Sequence, residues 1–149
     1  LFPTPSSGVL NAQTYEEALK RNREITGKGI SIQAWNLVPQ IRQVRKVIRP
    51  SDTDQFVECH PESSFAVMTD SPLLSKKLEM GIEQRVKLVR TYIPDIDIII
   101  NNLPKKCKVD DALDACAAAW TAKRHVRNEG IVFGGNKEDP EGYPIRIIV

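Results

Sequence analysis

The scarcities of this sequence narrow its class first. Its 149 residues contain three cysteines, Cys59, Cys107 and Cys116, an odd number without regular spacing. That excludes a disulfide framework, and with no CxxC or HxxxH pair there is no zinc motif. Reduced thiols in a cytoplasmic protein are expected. No apolar run nears the ~18 residues of a membrane span; the longest are Ile98–Ile100 and Ala115–Trp120. No basic start followed by an apolar core marks a secretory signal. Excess charge of one sign is missing too: 21 Lys and Arg against 19 Asp and Glu leave +2. Net charge therefore argues for no class of partner, and a case for nucleic acid has to rest on local sites. Repeats and low-complexity tracts are absent. With 41% hydrophobic and 27% charged residues the chain is globular rather than disordered, and one domain over residues 1–149 is expected.

Helical patterns dominate. Leu1–Ala12, with Pro3, Pro5 and Gly8, predicts loop. Thr14 with Glu17 three residues on predicts a capped helix running to about Thr26 and stopped by Gly27. Ser31 caps a second helix carrying Ile32, Trp35, Val38, Ile41, Val44 and Ile48, which Pro39 should kink or split and Pro50 should end. Arg42, Arg45, Lys46 and Arg49 form either a solvated face or a phosphate-facing patch. Gln55–His60 predicts a strand, Glu62–Met68 a short helix and Ser75–Tyr92 a longer one. Asp95–Asn102 suits strand or helix. Asp110–Glu129 is the clearest helix, and Ile131–Phe133 and Ile145–Val149 are short strand candidates. Helices interleaved with strands define an α/β class.

Three groups of residues carry chemistry. In Asp110-Asp111-Ala112-Leu113-Asp114, Asp111 and Asp114 are three apart on one helical turn, a spacing that suits Mg²⁺ or Mn²⁺ as well as it suits capping of a helix start. The small residues Ala115–Ala119 that follow would let that helix press flat on a sheet. In Glu58-Cys59-His60-Pro61-Glu62, Glu58 is an acid inside a strand that wants an explanation, an edge strand facing water being the plain one. His60 is a structural histidine, a ligand or an acid/base, and Glu62 can cap the short helix that follows. In Thr26-Gly27-Lys28-Gly29-Ile30-Ser31, Lys28 and Ser31 are candidate phosphate contacts, although P-loop spacing is absent.

Phe2-Pro3-Thr4-Pro5, Asn22-Arg23-Glu24, Thr26-Gly27-Lys28-Gly29, Gln33-Ala34-Trp35, Glu58-x-His60-Pro61-Glu62-x-Ser64-Phe65 and Asp110–Ala115 occur in an order that resembles a family of uncharacterised bacterial and archaeal proteins described as predicted nucleases with an RNase H-like fold. The resemblance implies helices packed on a mixed sheet. It implies metal-binding acids at Glu58, Asp111 and Asp114, with His60 and Glu62 in the catalytic set, and Mg²⁺ or Mn²⁺ as cofactor. For residues 95–102 it leans to helix. It also implies that the chain, which opens without Met, corresponds to the C-terminal two-thirds of such a domain and lacks its first three strands and first-strand aspartate. The expected activity is metal-dependent hydrolysis of nucleic acid. Two alternatives stand beside it. One is a non-catalytic nucleic-acid module contacting phosphates through Arg42, Arg45, Lys46, Arg49, Lys105, Lys106 and Lys108. The other is a structural fragment that forms a homo-oligomer through an open sheet edge.

Overall fold

The computed structural model describes residues 4–149. Phe2 and Pro3 of the first motif lie outside them. Six α-helices and a two-stranded antiparallel sheet make a mixed α/β chain among the described residues. The helices are α1 (Tyr15–Thr26), α2 (Ile32–Val47), α3 (Pro61–Val67), α4 (Glu79–Arg90), α5 (Ile96–Asn101) and α6 (Val109–Val126). The strands are β1 (Val132–Glu138) and β2 (Pro144–Ile148). The chain divides into two compact units, Leu1–Phe56 with Asn136–Ile145, and Val57–Gly135 with Arg146–Val149.

In the first unit α1 starts and stops where its sequence says. Thr14 Oγ1 accepts from the Glu17 amide, Glu17 accepts in return from the Gln13 amide, and Gly27 closes the helix at φ 71°. Before it, Ser7–Asn11 forms a 3₁₀ turn where loop is expected, with Val9 and Ala12 buried against Ala18, Ile30, Ala34 and Val38. α2 runs through Pro39 as one helix, so the proline does not split it.

The inward face of α2 keeps part of the predicted stripe, with Val38 buried and Trp35, Ile41 and Ile48 half-buried. Ile32 and Val44 are exposed, while Ala34 and Val38 are buried and Ile41, Arg42 and Arg45 are half-buried. The arginines are amphipathic enough to line an interior face when their heads find acceptors. Arg42 donates to the Leu10 and Ala12 carbonyls, and its guanidinium lies 6.0 Å from the Trp35 ring centre. Arg45 pairs with Asp139 and Glu141 and stacks 4.5 Å from the Tyr143 ring centre. The loop it holds is a tight Asp139-Pro140-Glu141-Gly142 turn: Asp139 Oδ1 accepts from the Glu141 and Tyr143 amides, and Gly142 takes φ 87°.

The second unit is helical around Phe65, Val89, Ile96, Leu113 and Ala117. The small-residue stretch of α6 packs against α3, α4 and α5 rather than lying flat on a sheet. A buried Ser64–Thr121 hydroxyl pair at 2.7 Å ties α3 to α6. Residues 95–102 are helical as α5, with Ile96 as the buried anchor and the polar ends of the Ile run facing water. The helix expected over Ser75–Tyr92 starts only at Glu79. Ser75 Oγ accepts from the Lys77 amide, and this local bond competes with a helical turn.

The strand expected at Gln55–His60 does not form. Residues 50–56 coil through a 3₁₀ turn in which the Gln55 and Phe56 amides both donate to the Asp52 carbonyl. Only Cys59 then pairs, in a single parallel bridge to Ile148, with the Ile148 amide donating to the Glu58 carbonyl at 2.9 Å. The expected mixed sheet reduces to the β1–β2 hairpin plus this one bridge among the described residues. β1 is exposed along its whole length, and Gly134 and Gly135 take φ 86° and 94° inside it.

Two outcomes follow. A Cβ on Gly81 would collide with the Ser75 carbonyl and sit 3.0 Å from that of Leu74. Gly81→Ala should therefore cost about 1–3 kcal/mol in urea unfolding. Burial alone would raise the Asp139 pKa, but the Tyr143 and Glu141 amides and the Arg45 guanidinium outweigh it and hold the carboxyl below its ordinary value. The stability this contributes is fully present above about pH 4, the ordinary carboxylate value, and is lost as pH falls through the lowered one. The gap in thermal stability between wild type and Asp139→Asn should stay constant from neutral pH to about 5 and close only in stronger acid.

Candidate functional site

The acidic residues of the two motifs take separate roles. Asp111 is exposed, and its carboxylate accepts from the Lys108 amide at 3.1 Å, capping the start of α6. Glu58 is exposed, with its carbonyl bound by Ile148. His60 is the N-cap of α3: its Nδ1 lies 2.8 Å from Ser63 Oγ and accepts from the Ser63 amide at 3.3 Å. Pro61 at the first helical position suits this start, because its missing N–H is not needed there. In the first unit, Ser31 Oγ is spent capping α2 through the Ala34 amide. The Lys28 loop is shaped by Asn22, which is 2% exposed. Asn22 Nδ2 donates to the Lys28 carbonyl at 2.8 Å, and its Oδ1 accepts from the Ser6 amide at 3.0 Å.

Glu62 and Asp114 are the two singled-out carboxylates that come together, and a lysine joins them. Lys76 Nζ is 2.7 Å from Asp114 Oδ2 and 3.9 Å from Glu62 Oε1. The hydrogen bond to Asp114 raises the Lys76 pKa, partial burial opposes it, and the charges of Asp114, Glu62 and Asp110 add to the rise. Asp110, four residues before Asp114 on α6, is thus the neighbour whose field reaches this lysine.

Glu62 is held from its other side by Arg85 on α4. The guanidinium donates through Nη2 at 2.6 Å and Nε at 3.2 Å to the two carboxylate oxygens, a bidentate pair. Its Nη1 donates to the Gly81 carbonyl at 2.7 Å and the Leu74 carbonyl at 2.9 Å. The Arg85 side chain is 3% exposed and lies 5.5 Å from the Phe65 ring centre. Beside the cluster an open cleft of about 520 Å³ is lined by Glu62, Ala66, Leu73, Leu74, Ser75 and Arg85, among others. Lys76 and Arg85 carry no motif in the sequence. The nearest signal is Gly81, one helical turn before Arg85, whose bare backbone lets the 74–75 segment approach.

The donor set decides how a divalent cation fits. Among the described residues no three His, Cys, Asp or Glu side chains gather in a metal-holding group, so Glu58, Asp111 and Asp114 do not converge as a trio. The Glu62–Asp114 pair does suit a hard cation. Mg²⁺ and Mn²⁺ take one or two carboxylates and complete their shells with water and phosphate. Asp114 Oδ1 is moreover buried without a hydrogen-bond partner, and a buried carboxylate oxygen left unsatisfied is a strong acceptor in want of a cation or donor. The cysteines are unsuited to nucleophilic work: burial pushes the Cys116 thiol up, and burial followed by the Glu58 charge does the same to Cys59.

The fold and site define a mixed α/β protein with a compensated carboxylate cluster shared by α3 and α6. The chain belongs to a protein family of unknown function, DUF429, whose model matches residues 1–139. Nothing among curated proteins or solved structures matches it. No helix among the described residues is long and apolar enough to cross a membrane.

Glu62→Ala should leave the Arg85 charge buried without its carboxylate and cost about 3 kcal/mol in denaturant unfolding, whereas Glu62→Gln, which keeps an acceptor, should cost clearly less.

Proposed function

We propose that this protein is a metal-dependent nuclease of RNase H-like fold, with Glu62 and Asp114 as its metal-binding carboxylates. The observation that carries the proposal is the unpartnered, buried Oδ1 of Asp114, a carboxylate that shares Lys76 with Glu62 and lies on the helix where the ordered motifs put an acidic pair. A bound Mg²⁺ or Mn²⁺ would polarise the phosphoryl oxygen and lower the pKa of the attacking water. The protein's own residues do the rest. Arg85 fixes the Glu62 carboxylate in one orientation through its two parallel bonds. Lys105, Lys106 and Lys108, all exposed just ahead of α6, supply positive charge before the helix that carries Asp114 and would hold the phosphates of a nucleic-acid strand. Glu58 and Asp111 enter only as flanking carboxylates, and His60 as the cap that fixes the start of α3.

The reading of a purely electrostatic nucleic-acid module has less support. Of its seven cations, Arg42 and Arg45 already spend their guanidinium groups on internal carbonyls and carboxylates.

The protein incubated with Mn²⁺ and single- or double-stranded DNA or RNA should cleave at least one of them. Asp114→Asn should reduce cleavage by at least about a hundredfold, the scale at which a metal ligand acts. Equal cleavage by the mutant, or full activity in chelator, would refute the proposal.

A further inference from the structure

We propose that Lys76 is a built-in, displaceable counter-ion that closes the Glu62–Asp114 pair until a divalent cation expels it. The inference rests on the metal reading above and concerns how that site is controlled. Two cations neutralise the two carboxylates, and they are bound very differently. Arg85 is buried and fixed by four hydrogen bonds, so it cannot leave without breaking the packing of α3 and α4. Lys76 is one-third exposed and held by a single short contact to Asp114 and a long one to Glu62. Its four-carbon stem carries a strongly hydrated head that loses little on returning to water.

The backbone beneath it is anchored. The Leu74 amide donates to Gln84 Oε1 at 2.8 Å, the Leu74 carbonyl accepts from Arg85, and Ser75 is pressed onto Gly81. The moving part is therefore the lysine side chain and not the loop. Its ammonium satisfies Asp114 Oδ2 and leaves Oδ1 unpartnered. A monovalent point donor thus fills only part of a coordination that a divalent ion, with its greater charge and several ligand positions, would complete. A cation of one charge then competes with a cation of two for the same oxygens, and the balance sets the metal affinity.

Calorimetric Mn²⁺ titration of the whole chain tests this, with folding checked by circular dichroism. Lys76→Gln removes the competing charge and should bind Mn²⁺ about tenfold more tightly than wild type. Lys76→Arg, a bidentate competitor, should bind it more weakly than wild type. Adding Asp114→Asn to Lys76→Gln should abolish the gain. Asp114-dependent binding of equal strength in wild type and Lys76→Gln, or weaker binding in Lys76→Gln, would overturn the counter-ion role while leaving the metal reading intact. Absence of any Asp114-dependent Mn²⁺ binding in all variants would overturn both.

Discussion

A guanidinium buried between α3, α4 and the segment that connects them constrains much of the second unit. Arg85 cannot sit at 3% exposure unless its donors are satisfied, because an unpaired buried charge is worth several kcal/mol against folding. Each partner it recruits sets something else. The Gly81 carbonyl is on its own helix, and the bond to it holds the side chain back along α4. The Leu74 carbonyl pulls the connecting segment close enough that residue 81 tolerates no side chain. Glu62 is gripped at both oxygens, and its Oε1 also faces Lys76, which in turn reaches Asp114. The geometry of the candidate site follows from the requirement that one arginine be paired.

The first unit solves a similar problem with the same chemistry. α2 presents Arg42 and Arg45 on its half-buried face, and their heads find acceptors at the end of the 3₁₀ turn and in the Asp139–Tyr143 loop. Asn22, a neutral residue, does for the 28–29 loop what the arginines do elsewhere, joining backbone groups that no regular structure satisfies. Aliphatic area alone is modest in both clusters, so directional polar contacts supply much of what specifies where the loops go.

This explains which elements were legible. α1 was readable to the residue because its start and stop are local: a threonine, a glutamate three on, and a glycine free to take positive φ. α2 was readable in extent and partly in facing: Trp35, Val38, Ile41 and Ile48 turn inward, but the aliphatic stripe missed that arginine heads can be satisfied inside. The strand at 55–60 was misjudged because alternation says nothing about partners. Among the described residues that stretch meets only Ile148, and a strand without a ladder coils into whatever turns its aspartates offer. The β-branched run at 95–102 went to helix because Ile96 and, one turn on, Ile100 have a core to meet, while Ile98 and Ile99 stay exposed.

The candidate site was half legible for a related reason. Asp114 and Glu62 stood out as acids in motifs, but their counter-charges lie 38 and 23 residues away in sequence, in segments that look like ordinary solvated helix. Spacing of three favoured Asp111 as the partner of Asp114. Yet the first turn of a helix has free amides, and Asp111 serves the Lys108 amide there instead; of the two first-turn aspartates it is Asp110 whose charge adds to those of Asp114 and Glu62 on Lys76. Counted by direct contact, the resulting cluster balances two carboxylates with two cations, while Asp110 adds its charge from further off. A balance of this kind makes a stable resting state and a poor catalyst, because a phosphodiester brings its own negative charge and needs an excess of positive charge to meet it. Exchanging the loosely held ammonium for a divalent ion would supply that excess without disturbing the arginine on which the packing rests.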